Sequence, residues 1–193
     1  MRTFLLPSFR LVVFLGVLLG LVYPGVMTGI GQVFFHAKAN GSLIVQNGQV
    51  VGSRLIGQNF TSARFFQGRP SATTPPYNAA ASTGTNYGPT NPALIKEVKS
   101  NLAAVEKANP GVRPQQVPPD LVESSASGVD PDITPEAALL QVQRVATANH
   151  LSVAAVRQLV NSHIQGRFLG IYGDPYVNVL ELNLAVQRMA GGK

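Results

Sequence analysis

Apolar residues are spread unevenly along this 193-residue chain. The stretch Leu11 to Phe35, LVVFLGVLLGLVYPGVMTGIGQVFF, carries no charged side chain. Its length of roughly 25 residues exceeds the ~20 that an α-helix needs to cross a bilayer core. A cleaved secretory signal competes with this reading. Arg2 and Arg10 fit its basic start and Ala37-Lys38-Ala39 fits a small-x-small cleavage site. The apolar core of such signals runs only ~7–15 residues, so the length favours a retained anchor. Gly16/Gly20 and Gly25/Gly29 form two small-xxx-small pairs where another helix can approach closely. Pro24 predicts a kink or a break in the helical ladder.

Beyond the anchor the periodicity changes. Ser42–Gln46 and Gln49–Val51 flank Asn47-Gly48, the strongest short hairpin signal, and the second strand is expected to run on toward Phe60. Residues 68–91, GRPSATTPPYNAAASTGTNYGPTN, read either as a flexible linker or as a packed loop pinned by Tyr77 and Tyr87. The variety of polar groups beside aromatics favours the ordered loop. Asn91-Pro92 opens a helix with Leu94, Ile95, Val98, Leu102 and Val105 on one face, stopped by Asn109-Pro110-Gly111. An edge segment is expected over Val117–Val122, and a turn over Ser124–Gly128.

Thr134-Pro135 and Ser152 start two further helices. Their apolar positions are Leu139, Leu140, Val142, Val145 and Ala146, then Val153, Val156, Leu159, Val160 and Ile164. A short strand is expected near Arg167–Tyr172, then a helix over Val177–Met189 that is apolar nearly all round and hence buried. Short strands with segregated helices make the fold α+β: one membrane helix, then a single soluble domain with about four helices.

Charge and composition narrow the function. Arg2 and Arg10 precede the span, while Lys38 and Arg54 follow it, so the positive-inside rule favours residues 1–10 in the cytoplasm, 11–35 in the membrane and 36–193 outside. The formal charge of +6 is diffuse, without clustered Lys or Arg interleaved with aromatics, which argues against nucleic-acid binding. Absence of cysteine excludes thiol catalysis and thiolate metal sites. There is no phosphate-binding glycine loop, no GxSxG elbow and no histidine pair at ligand spacing; His36, His150 and His163 stand apart. Glu123, Asp130, Asp132 and Glu136 surround the SSASG turn, where they either attract a cationic group or favour the start of the Thr134 helix. No metal site and no catalysis by this chain alone are expected.

The segments read as turns and loops carry a resemblance. ANGSLI (Ala39–Ile44), GSRLIGQNF (Gly52–Phe60), GRPSAT (Gly68–Thr73), Tyr77-Asn78, SASG (Ser125–Gly128), ITPEAA (Ile133–Ala138), RVA (Arg144–Ala146) and VNVLELN (Val177–Asn183) follow in order along the chain. In these the chain closely resembles the C subunit of the bacterial Kdp-type potassium-transporting ATPase. The resemblance implies an inner-membrane complex. A pore subunit selects potassium, a P-type ATPase subunit hydrolyses ATP, a small subunit makes lipid contacts, and this non-catalytic subunit assists. Family descriptions make it either a catalytic chaperone that raises the ATP affinity of the ATPase subunit through a ternary complex, or an external assembly and gating element on the pore subunit.

The nucleotide proposal rests on a stretch likened to an ABC-transporter signature, matching Leu151–Ala155, where Ala155 replaces the glutamine that matters in that comparison. Together with the external placement of the domain, this favours an indirect effect on ATP affinity. Candidate partner-facing groups are Gln58, Asn59, Arg69, Ser71, Tyr77, Asn78, Ser125, Ser127 and Asp130; each residue type is also suited to satisfying a loop internally. A secreted binding protein and a membrane-tethered hydrolase are the alternatives from other classes. The first requires cleavage after Ala39, and the second requires a nucleophile and base that the sequence does not present.

Overall fold

A computed structural model describes residues 2–191, which fall into two compact units divided between Leu43 and Ile44. The terminal amine lies outside the described residues.

The first unit is a long helix. Helix α1 (Arg2–Val17) continues through a π-helical turn (Leu18–Val22) into α2 (Tyr23–Phe34). Phe4–Phe34 spans 31 residues with a mean hydropathy of 2.3, long and apolar enough to cross a membrane. Pro24 neither breaks nor ends it. The turn before the proline is wound wide, so that the Tyr23 N–H donates to the Leu18 carbonyl. A π turn absorbs the missing donor and the bulk of the ring while the axis continues. The chain then bends at Phe35 into the single turn α3 (His36–Ala39).

In the second unit the expected hairpin forms. Strands β1 (Leu43–Gln46) and β2 (Gln49–Ser53) pair across Asn47 and Gly48, whose φ angles of 50° and 77° suit the twist of a two-residue hairpin. Helix α4 (Pro92–Ala108) starts where Asn91 accepts from the Ala93 N–H at 2.8 Å. Helix α5 (Pro135–Ala148) is capped by Thr134, which accepts from Ala137 N–H at 3.2 Å. Asp120 in turn holds Thr134, accepting its N–H at 2.7 Å and its hydroxyl at 3.2 Å. Ser152 caps α6 (Val153–His163), and α7 (Val179–Gly191) closes the described chain.

A three-stranded antiparallel sheet links these helices. Its central strand β5 (Tyr176–Asn178) lies between β3 (Asp132–Ile133) and β4 (Ile164–Gln165), with Val177 opposite both Ile133 and Ile164. Phe66, Val142, Val145, Val156, Val160, Val177, Leu182 and Val186 form the centre of the core. The α+β class and four soluble-domain helices agree with the sequence reading.

Several details differ. The second strand does not run on toward Phe60: β2 ends at Ser53, and only an isolated bridge between Ser53 and Ile56 follows it. Val177 and Asn178 are strand, and the last helix starts only at Val179. Val117–Val122 is no edge strand: two 3-10 turns, Pro114–Gln116 and Pro119–Leu121, occupy the region, because consecutive Pro118 and Pro119 remove ladder donors. Arg167–Tyr172 is a tight loop closed by one bridge between Phe168 and Tyr172, and Ile164 belongs to β4 rather than to a helix face. Tyr87 is 43% exposed, whereas the Tyr77 hydroxyl donates to the Arg69 carbonyl within the 68–91 loop.

Candidate partner-binding surface

Most of the polar loop groups singled out from the sequence meet one another. Ser71 is the hub of the 68–78 loop. Its hydroxyl donates to the Gly128 carbonyl at 2.6 Å and accepts from the Tyr77 N–H at 2.9 Å and the Thr73 N–H at 3.3 Å. Thr73 continues the network, donating to the Pro75 carbonyl and accepting from Asn78 N–H. Asn78 accepts from Ala80 N–H at 3.1 Å and so starts a 3-10 turn. On the facing turn, Ser125 accepts from Gly128 N–H at 2.9 Å and Ser127 from Val129 N–H at 3.3 Å. The Ser127 carbonyl takes Thr83 N–H at 3.1 Å and the Ser82 hydroxyl at 2.9 Å. Two loops that composition would leave slack are laced together.

Tyr77 and Arg69 secure the same junction from one side. The Tyr77 hydroxyl donates to the Arg69 carbonyl at 2.6 Å, and the Arg69 guanidinium meets Asp130 at 3.2 Å. Burial pushes the Tyr77 phenol up to about 12, with the Asp130 charge adding to the rise and Arg69 opposing it. Asp130 accepts from Asp132 N–H, and Arg69 reaches the Glu123 carbonyl at 3.4 Å, yet the buried Nε of Arg69 has no hydrogen-bond partner. Gly57 approaches so closely that an added Cβ would lie 2.5 Å from the Asp130 carbonyl oxygen and 2.6 Å from the Tyr77 ring.

Gln58 is also spent internally, donating to the Val51 carbonyl at 2.8 Å. Asn59 is exposed, at the rim of a surface groove of about 520 Å³ that Phe60, Gln67, Arg69, Tyr77 and Asn101 also line. In the long helix nothing crowds the outward side of Gly16, Gly20, Gly25 or Gly29. Further along, Asp132 accepts from the Asn178 amide at 2.9 Å beside the Arg54–Glu181 ion pair at 2.6 Å. Burial raises the Asp132 carboxyl to about 6; the Asn178 hydrogen bond opposes the rise, and Asp130 and Glu181 add to it.

The sequence reading missed a second set of polar groups. Asn183 and Gln141, each 1% exposed, grip the main chain of Phe66 and Gln67. Arg144 donates to the Ala63 and Phe65 carbonyls at 2.8 and 2.9 Å and to the Asn109 and Gln141 side chains. Asn149 takes Arg64 by its carbonyl and its side chain. Residues 63–67, a turn in which the Phe65 N–H donates to the Ser62 carbonyl at 3.1 Å and the two residues after it, are thus held in place by side chains from distant helices. A signal was available: Gln141 and Asn183 interrupt otherwise apolar helix faces, and a buried amide must find partners. By contrast, the Leu151–Ala155 stretch is locally accounted for, since Ser152 accepts from Ala155 N–H at 3.1 Å as an ordinary helix cap.

Comparison with known proteins decides the family. The family model described as "K+-transporting ATPase, c chain" (KdpC) matches residues 5–188. The potassium-transporting ATPase KdpC subunit of Dechloromonas aromatica is 51% identical over 191 residues, covering 98% of this chain and all of that protein. Those of Herpetosiphon aurantiacus and Burkholderia orbicola are 52% and 54% identical, over 98% and 96% of this chain and the same shares of their own lengths. The chain belongs to the KdpC family.

A KdpC-family subunit with one long apolar N-terminal helix is a membrane-anchored component of a transport ATPase. The stretches that carried the resemblance are those that build the braces. GRPSAT holds Arg69, Ser71 and Thr73, SASG holds Ser125, Ser127 and Gly128, and VNVLELN holds Asn178 and Asn183. Much of the residue pattern that carried the resemblance is therefore used to hold the fold.

Proposed function

We propose that this chain supports assembly and coupling of the pore and ATPase subunits in an ATP-driven potassium-uptake complex, with its domain outside the cytoplasm. The observation that carries this reading is full-length similarity to potassium-transporting ATPase KdpC subunits, joined to a single long apolar helix. In this reading, any rise in the ATP affinity of the ATPase subunit is indirect. The domain binds the pore assembly, shifts its conformational equilibrium, and the ATPase reads that shift as a coupling free energy. Two features support the indirect route. The Leu151–Ala155 stretch is occupied with capping α6, and the charge bias of the span directs the domain away from cytoplasmic ATP. Asn59 and Arg69, on the groove rim, are the partner-facing groups of choice; Ser71, Tyr77, Asn78, Ser125, Ser127 and Asp130 hold that surface in shape.

The experiment exploits the absence of cysteine. Ser100, exposed on α4, is replaced by Cys in the co-expressed complex, and intact cells receive a membrane-impermeant thiol reagent. Labelling without lysis is the expected result. Labelling only after lysis would reverse the orientation and make a ternary complex with ATP the leading mechanism.

A further inference from the structure

The domain makes a conspicuous outward display of apolar side chains between β4 and β5. Phe168, Leu169, Ile171 and Tyr172 are 71, 74, 73 and 67% exposed. The loop is ordered by its own backbone. Phe168 and Tyr172 exchange main-chain hydrogen bonds at 2.9 and 3.0 Å, and Gly170 N–H donates to the Arg167 carbonyl at 3.1 Å. Covering this tip would therefore strip little water from unsatisfied amides, and little loop entropy would remain to be lost.

A second observation is independent of exposure. Leu169 has a φ of 52°, the left-handed region, which is strained for a bulky L-residue and which Gly or Asn occupies more readily. A large apolar side chain held there and left in water gains nothing for the fold. Backbone outliers of this kind are pointers to function.

We propose that this tip is the anchor by which the domain docks into an apolar groove on a companion subunit of the transport ATPase. The proposal rests on the reading above that the chain works within such an assembly. Charge selects a protein groove over lipid. Membrane-seeking loops flank their apolar residues with free Lys or Arg that meet anionic headgroups. Here the flanking cation Arg167 is paired with Asp174 at 3.1 Å, so the base of the tip is neutral. A neutral apolar knob with a paired rim is complementary to a protein pocket.

Size argues against a second copy. With side-chain areas of the usual order, the four residues offer roughly 500 Å². That matches a functional patch, and falls short of the ~800 Å² per partner of a freestanding interface. A companion that the chain already meets through another contact in the same assembly needs only such an anchor, because the second contact is then effectively intramolecular, whereas a second copy would depend on this patch alone.

The test uses the full chain co-expressed with its companion subunits. The photoreactive residue p-benzoylphenylalanine is placed at position 169 and the irradiated, purified complex is analysed by mass spectrometry. The expected product is an adduct between this chain and a companion subunit. Adducts to lipid alone, or to another copy of this chain, would overturn the proposal in favour of those occupants.

In parallel, Phe168→Ser/Leu169→Asn/Ile171→Ser removes the knob; Asn suits the left-handed position, so the fold and its melting temperature are expected to hold. Recovery of companion subunits with the tagged variant is expected to fall at least tenfold after a detergent wash. Undiminished recovery by the folded variant would sink the anchor while leaving the assembly role intact. Failure of the wild-type chain to recover companions would overturn the assembly role itself.

Discussion

Asn183 on α7 holds both main-chain groups of Phe66: the Phe66 N–H donates to Oδ1 at 2.7 Å, and Nδ2 donates to the Phe66 carbonyl at 2.9 Å. The two residues are 117 positions apart, and this pair fixes the one phenylalanine that is fully buried. Replacing Asn183 by Leu keeps the branched outline of the side chain but leaves a buried N–H and C=O unpaired. Each orphaned group costs about 1–3 kcal/mol. Asn183→Leu is therefore expected to lower stability by about 2–4 kcal/mol, read as a fall in thermal midpoint by near-UV circular dichroism. A midpoint within a degree of wild type would show that the amide clamp contributes nothing.

The pairing also shows what was legible beforehand. Helix starts at Asn91, Thr134 and Ser152, and the Asn47-Gly48 hairpin, were readable because each depends on neighbours in sequence. Residues 63–67 were not. The side chains that hold them are Gln141, Arg144, Asn149 and Asn183, all distant, and no local pattern announces a turn segment clamped from so far along the chain. The interface candidates show the complementary case. Ser71, Ser125 and Asn78 were singled out as polar and loop-borne, but these are the residue types that satisfy tight loops internally. The exposed tip at Phe168–Tyr172 read as a strand because its apolar and aromatic residues suit one, and only the structure shows them facing water.

Glycines at two loop positions should respond oppositely to alanine. At Gly57 the new methyl meets the Asp130 carbonyl at 2.5 Å and the Tyr77 ring at 2.6 Å, and the carbonyl belongs to a braced turn that cannot yield cheaply. Gly57→Ala should cost about 1–3 kcal/mol, the usual scale of overpacking. Gly88 has nothing within 4 Å, and its backbone lies outside the left-handed region. Gly88→Ala should be neutral or stabilising by up to about 1 kcal/mol through the unfolded chain. Equal effects at the two sites, measured by urea denaturation, would contradict the close approach that joins these loops.

Asp132 gives a pH signature. Its folded carboxyl titrates at about 6, above its ordinary value of 3.8, chiefly because burial disfavours the charge. The folded state thus binds the proton more tightly than the unfolded chain. Ionisation costs stability above pH 6, and the cost disappears as pH falls toward 3.8. After allowance for solvent screening at this half-exposed site, the cost is about 1–2 kcal/mol. Asp132→Asn, which keeps an acceptor for Asn178, should stabilise the domain by that amount at pH 7.5. The advantage over wild type should vanish near pH 4, so an advantage that does not change with pH would remove the titration from the explanation.

Arg144 tests whether charge or shape matters in the clamp around residues 63–67. Its guanidinium is lowered to about 10 by burial, and its acceptors are the Ala63 and Phe65 carbonyls and the Asn109 and Gln141 side chains, with no carboxylate among them. The planar fork reaches four acceptors at fixed angles, which an ammonium cannot reproduce. Arg144→Lys should therefore cost about 2–4 kcal/mol at pH 7 although the charge is retained. Burial should also depress the new lysine below its usual ~10.4. The unfolded chain then binds the extra proton, so stability of the variant should rise with pH through the region just below pH ~10. Wild type should stay nearly flat there until pH approaches 10. Matching pH profiles for the two proteins, from parallel melts between pH 7 and pH ~10, would show that the site is open enough to hydrate an ammonium and that the fork geometry is dispensable.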